Sequence, residues 1–159
     1  MLKVKSFKQP AELCGPTSLR MVLDYFGLKI TETEVVKLAK YDKKKMNRED
    51  NTGANRLANT AKSLGFKSFV KDNSNLKDIR KYVVGKKVPV IVNWFSKIEG
   101  HYSVVVDIND KQITLMDPET GGLRKMPINL FEDIWFDFSP HYIRTPKSLV
   151  VKRMIVVER

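Results

Sequence analysis

The chain holds a single cysteine, Cys14, and only two histidines, His101 and His141. One cysteine cannot form an intramolecular disulfide, and it excludes a structural zinc site built from several thiolates. Long apolar runs are missing as well. The longest, Val88–Phe95 and Ser103–Val106, fall far short of the roughly 20 residues that span a bilayer. The N-terminal Met1–Lys8 alternates charged with apolar residues and leads into no apolar h-region. The expectation is therefore a cytoplasmic protein without a signal peptide or a membrane span. Internal repeats and low-complexity stretches are absent too.

Acidic residues are in the minority, 18 against 29 basic ones, for a net charge of +11. A surface of that sign attracts nucleic acid, anionic membranes or acidic partners. The lysines are scattered, however, with one cluster at Lys43-Lys44-Lys45, and no basic segment is interleaved with aromatics. They read as a solvated surface, and nucleic-acid binding is not expected. Apolar residues make up 42% and charged residues 30% of the 159 positions, which describes an ordinary globular chain. The length suits one domain spanning 1–159.

Several elements are legible. Leu2–Phe7 alternates like a short edge strand. A helix starts at Cys14-Gly15-Pro16-Thr17, with Leu19, Val22, Leu23 and Phe26 at helical spacing and Gly27 as its C-cap. Pro16 falls in the first turn, where its missing N–H costs nothing. Thr31-Glu32-Thr33-Glu34 is a capping box that opens a second helix. Lys40–Asn51 reads as an exposed, charged insertion. Thr52–Leu64 reads as a helix closed by Gly65, Phe66–Val70 as a strand, and Asn75–Val84 as a helix with Leu76, Ile79, Tyr82 and Val83 inward. Strands are expected at Val88–Phe95, His101–Ile108, Gln112–Met116 and Leu123–Pro127, with turns at Asn109-Asp110 and Glu119–Gly122. A short helix within Ile128–Phe136 would bury Phe131, Ile134 and Trp135, and Leu149–Val157 would be a final strand. Helices first and an antiparallel meander second argue an α+β fold. Gly85-Lys86-Lys87 is too short for a domain linker, so the halves pack on each other with a cleft between them.

Cys14 opens the first helix, where the partial positive charge of a helix N-terminus favours thiolate over thiol. Its own backbone N–H can point at an oxyanion, and the amide of Gln9, on a Pro-braced turn, is a second candidate donor. A cysteine nucleophile needs a base. His101 opens a predicted, otherwise apolar strand, where a polar ring faces either the cleft or the turn, whereas His141 lies in Phe138-Ser139-Pro140-His141-Tyr142, a loop without scaffolding, so His101 is preferred. A histidine base is oriented by a carboxylate or amide. With a turn at Asn109–Lys111, Asp117 becomes an approximate cross-strand neighbour of His101. Asp107 sits at the far end of the His101 strand. The alternative role for Asp117 is to initiate a turn before Pro118.

Three runs, read together, carry a resemblance. They are Gln9-Pro10-Ala11-Glu12-Leu13-Cys14-Gly15-Pro16-Thr17-Ser18-Leu19, then Pro89–Val92 with Gly100-His101-Tyr102-Ser103-Val104-Val105-Val106, then Leu115-Met116-Asp117-Pro118. In that order they are similar to the bacteriocin-processing, double-glycine leader peptidase branch of the papain-like cysteine peptidases. Thr52-Gly53, Phe131 and Trp135 add to the likeness, which covers most of Met1–Trp135. Gln9 stands one residue nearer to the cysteine than the family pattern usually has it, and no transporter domain accompanies the chain.

The resemblance implies a papain-like fold and hydrolysis of peptide bonds through a thioester. It implies Cys14 as nucleophile, His101 as general base and acid, Asp117 as its orienter and Gln9 as an oxyanion donor. The substrate would be a peptide or protein, with no cofactor and no metal. The alternatives are a non-catalytic peptide-binding module on the same fold and an acyl transferase that uses the same apparatus. Because the basic charge reads as solvation, a gel-shift titration with generic duplex DNA should show no salt-dependent complex. A shift at low salt that is lost on adding salt would reinstate nucleic-acid binding.

Overall fold

The computed structural model describes residues 1–39, 53–138 and 144–159. The predicted insertion at Lys40–Asn51 and the loop histidine His141 lie outside the described residues. Helix α1 spans Cys14–Tyr25 and α2 spans Glu32–Leu38; α3 spans Gly53–Ser63. Strand β1 (Lys67–Lys71) and the short helix α4 (Leu76–Arg80) follow. Strands β2 (Val90–Ser96), β3 (Glu99–Ile108), β4 (Gln112–Asp117) and β5 (Gly122–Pro127) form the meander. Helix α5 (Ile128–Ile134), β6 (Phe136–Phe138), β7 (Leu149–Val151) and β8 (Met154–Glu158) complete the chain.

The helix boundaries follow from their caps. Gly27 and Gly65 take positive φ, 88° and 87°. After α1, Leu28 N–H bonds the Leu23 carbonyl and Gly27 N–H that of Asp24, which closes the last turn as a glycine C-cap does. The Thr31 capping box is formed, with the Glu34 N–H donating to the Thr31 side chain and Thr31 N–H to the Glu34 carboxylate.

Six strands form one antiparallel sheet in the order β1-β8-β2-β3-β4-β5, and β6 and β7 make a separate two-stranded ribbon. Both faces of the large sheet are covered. On one, Leu19, Val22 and Leu23 of α1 and Ala54, Leu57, Ala58 and Ala61 of α3 pack with Ile91, Val104, Val106, Ile155 and Val157. On the other, Ile79, Tyr82, Val83, Phe131 and Trp135 pack with Val90, Val92, Val105, Leu115 and Val156. Burial on both sides explains why Val90–Val92 reads as an unbroken apolar run rather than an alternation. Among the described residues no helix is long and apolar enough to cross a membrane.

Three expectations about elements are corrected. Leu2–Phe7 is not a strand. Leu2 N–H reaches the Val106 carbonyl at 2.8 Å, beside the register shift between Val105 and Asp107, and both edges of β3 are already paired. The helix expected at Asn75–Val84 is α-helical only to Arg80 and continues as a π-helix over Lys81–Lys86, ending at Lys87 with φ 59°. Val83, Val84 and Gly85 are poor helix formers, and the wider turn buries Tyr82 and Val83 together. The final strand is two strands. Lys152, at φ 51°, breaks the run, so β7 pairs with β6 and β8 enters the large sheet between β1 and β2.

That insertion makes β8 central to the fold. Ile155, 1% exposed, contacts the α1–α3 core. Ile155→Ala should cost about 2–5 kcal/mol in urea denaturation, as large-to-small core changes do. A loss below about 1 kcal/mol would show that β8 is peripheral.

Candidate active site

The site is built where the N-terminus of α1 meets the start of β3. A tight turn precedes the helix: Leu13 N–H bonds the Pro10 carbonyl at 3.2 Å, and Glu12 takes φ 63°. The N-cap residue is Leu13, which provides no side-chain acceptor, so the N–H groups of the first turn have no capping side chain. Cys14, a free cysteine at intermediate burial, is the first helical residue. Gly15 behind it is a space requirement. A Cβ there would stand 3.1 Å from Leu57 Cδ1 and 3.4 Å from Tyr102 Cδ2, so this end of the helix lies directly on the ring of Tyr102.

His101 and Asp117 are brought together as expected. His101 Nε2 is 2.7 Å from Asp117 Oδ1, and the two residues are 7% and 0% exposed. The Cys14 thiol is near enough to act on the same ring. With Nε2 committed to Asp117, Nδ1 is the nitrogen left for sulfur. Burial, the largest influence on the ring, disfavours its charged form. The Asp117 hydrogen bond, the Cys14 hydrogen bond and the attraction of both groups outweigh it, and His101 is pushed up to about 9. For Asp117 burial again works against charge. The His101 bond and charge, the Glu119 N–H and Arg124 prevail and hold the carboxyl below its ordinary value.

Gln9 is placed at the same end of the molecule. Its N–H donates to the Pro118 carbonyl at 2.8 Å, one residue from Asp117, and its side-chain Oε1 is buried without a hydrogen-bond partner.

The sequence reading missed the residues that support the dyad. Arg124 donates from Nε to Asp117 Oδ2 at 2.6 Å, and its guanidinium lies 5.5 Å from the Trp94 ring centroid. Trp94, the cross-strand partner of His101, meets the imidazole edge-on at 5.5 Å and donates from Nε1 to Ser103 Oγ. Glu119 contributes its backbone N–H to Asp117 Oδ1 at 3.0 Å. The signal for Arg124 was the turn at Glu119–Gly122. It pairs Asp117 with Gly122, which puts Arg124 on the adjacent diagonal of the same face.

His101, Asp117 and Glu119 bring three metal-ligand types within 4.8 Å of one another. The carboxylate at their centre is already bound by an imidazole, a backbone N–H and a guanidinium. A cation there would be opposed by Arg124, so the donor set suits an oriented histidine better than a metal ion.

Residues 4–139 match the model of the peptidase C39 family. No curated protein matches the sequence. Among solved structures, the chain is similar to the peptidase domain of Streptococcus ComA, a bifunctional ABC transporter involved in a quorum-sensing pathway, at TM-score 0.70 and 19% identity over 98% of both chains. It is similar to a double-glycine-motif protease from an AMS/PCAT transporter, in complex with its leader peptide, at TM-score 0.68 and 19% identity over 98% of this chain and 91% of that one. A C39-like peptidase from Bacillus anthracis aligns at TM-score 0.69 and 16% identity over 99% of this chain and 96% of that one. At these identities the likeness is one of fold, the α+β papain-like fold.

The raised His101 value has a consequence for stability. Its unfolded value is near 6.5, so the stabilisation is complete below that pH and is lost as pH rises through about 9. The full effect is of the order of 3 kcal/mol. Urea midpoints for the native protein should therefore fall more steeply between pH 6.5 and 9.5 than those of His101→Ala. Parallel pH profiles for the two proteins would refute the linkage.

Proposed function

Because the chain belongs to the peptidase C39 family, we propose that it is a cysteine peptidase that cleaves peptide bonds through Cys14, His101 and Asp117. The observation that carries the reading is one imidazole, buried and bound at 2.7 Å to a fully buried carboxylate, with the only thiol of the protein near enough to act on it. A histidine held on one nitrogen by a carboxylate and presenting the other to a thiol is the arrangement that activates a cysteine nucleophile.

In this mechanism the proton of Cys14 moves to His101, whose charged form its surroundings already favour. The thiolate attacks the carbonyl carbon of a peptide substrate, and a C–S bond forms as the carbonyl π electrons move onto oxygen. The open first-turn N–H of Cys14 and the amide of Gln9 receive that oxyanion. Collapse breaks the C–N bond, and the imidazolium gives its proton to the leaving amine. His101, again neutral, takes a proton from water as water attacks the thioester. The products are a free carboxylic acid and the regenerated thiol. Arg124 and the Glu119 N–H keep Asp117 ionised throughout, so the carboxylate orients the ring and stabilises its charge without taking the proton. A peptide substrate accords with the leader peptide bound to the AMS/PCAT relative.

Iodoacetamide should label Cys14 at neutral pH, and His101→Ala should slow labelling by at least about a hundredfold, the lower range for general-base assistance. Equal rates in the two proteins would remove the activated thiol. With a cleavable peptide in hand, Gln9→Ala should lower kcat by about 10²–10³-fold with little change in KM, the usual effect of losing an oxyanion donor. A change confined to KM would assign Gln9 to substrate binding.

A further inference from the structure

The catalytic reading uses one buried carboxylate, Asp117, and leaves another unassigned. Asp137, the middle residue of β6, is 5% exposed. Its neighbours in the strand, Phe136 and Phe138, pack on Phe95 of β2 with ring centroids 5.0 and 6.1 Å away. Asp137 alternates to the other side and comes down on Gly100. A Cβ built on Gly100 would overlap the Asp137 Cγ and both carboxylate oxygens. No positive φ demands glycine at this position. What demands it is the carboxylate lying on its backbone.

Gly100 is the residue before His101, and in the β2–β3 register it pairs with Phe95 while His101 pairs with Trp94. The carboxylate is fixed in its place. The Phe138 N–H donates to Asp137 Oδ1 at 2.7 Å. Arg153, only 9% exposed, interacts with the charge of Asp137 while gripping Asp72 through Nε at 2.6 Å and a terminal nitrogen at 2.9 Å. Arg153 is in turn anchored by its carbonyl, which accepts from Trp135 Nε1 at 2.9 Å and from the Asn93 N–H at 3.3 Å. The chain of contacts therefore runs from Asp72 through Arg153 and Asp137 to the entry of β3.

We propose that Asp137 is a positioning residue for the His101 base: seated on the bare backbone of Gly100, it sets where β3 enters the site and hence how far the imidazole stands from Cys14. The assignment rests on the Cys14–His101 reading above. Asp117 governs the rotation of the ring from one side, and Asp137 governs the backbone that carries it from the other. The need is for a planar group of this size on the glycine, so asparagine should serve nearly as well as aspartate.

The test is the rate of Cys14 alkylation by iodoacetamide as a function of pH, read on variants that circular dichroism shows to be fully folded. Gly100→Ala should react about a hundredfold more slowly than the native protein at neutral pH, with the onset of reactivity displaced to higher pH, the order of effect expected when a base is misplaced by about 1 Å. Asp137→Asn should stay within about threefold of native, whereas Asp137→Ala should be slower by about tenfold. The double variant Gly100→Ala/Asp137→Ala should return to within about threefold of Asp137→Ala, because the group that the new methyl strikes is gone. A double variant as slow as Gly100→Ala overturns the proposal. If Gly100→Ala does not accumulate as folded protein, equal rates and equal pH profiles for the native, Asp137→Asn and Asp137→Ala proteins overturn it instead. His101→Ala run alongside separates the two levels of argument. Alkylation that ignores His101 overturns the relay and this inference with it; alkylation that depends on His101 but ignores Gly100 and Asp137 overturns the inference alone.

Discussion

A carboxylate wholly removed from water must find every partner inside the protein, and the site is organised around that demand at Asp117. The cost of desolvating an ionised carboxyl group is several kcal/mol. It is met by charge-assisted hydrogen bonds from His101 and Arg124 and by the backbone of Glu119. Each partner fixes something else. Arg124 requires the β4–β5 hairpin to keep its register, because one residue of slippage would turn the guanidinium to the opposite face. His101 requires β3 to lie beside β4 with its first residues close to α1. Trp94 closes the arrangement by filling the space against the imidazole edge and the guanidinium. The ionic triplet and the neighbouring sheet are mutually dependent.

The helical layer answers a different requirement. The end of α1 must approach the sheet closely enough for a thiol to meet a ring on β3. Gly15 permits this by bringing the helix backbone onto Tyr102, and Leu57 of α3 presses on the same point. Tyr102 is partly buried, and its phenol is pushed well above its ordinary value, chiefly by burial. Its uncharged ring lies under the first turn of α1, and Arg153 and Asp137 act on it by charge.

Much of this was legible in the residues. Cys14 at a helix start was readable from Pro16, the i, i+3, i+4 apolar spacing and Gly27. The His101–Asp117 contact was readable because the turn at Asn109 fixes a hairpin register: the Asn109 side chain accepts the N–H groups of Lys111 and Gln112. What escaped depended on partners distant in the chain. Arg124 sits beside Lys125 in the run Leu123-Arg124-Lys125-Met126, where charged residues ordinarily face solvent, and only the folded hairpin reveals its buried acceptor. The division of Leu149–Val157 was hidden because Lys152 carries none of the usual turn signals, yet takes a left-handed backbone conformation. Asp137 looked like any polar residue among aromatics. The glycine it rests on looked like part of a family signature, when its physical reason is a lack of room.

The late position of β8 in the sequence has a bearing on how the molecule comes into being. Among the described residues every helix and every other strand precedes it along the chain, yet it lies between β1 and β2. During synthesis the β2–β5 meander can pair as it emerges, because its contacts are local. Until residues 154–158 are available, β1 has no neighbour to pair with and β2 keeps a bare apolar edge. A nascent chain stalled before that point already carries Cys14, His101 and Asp117, yet it displays an open edge prone to pairing with other chains. Strand β8 is therefore the one that turns an aggregation-prone intermediate into a completed sheet.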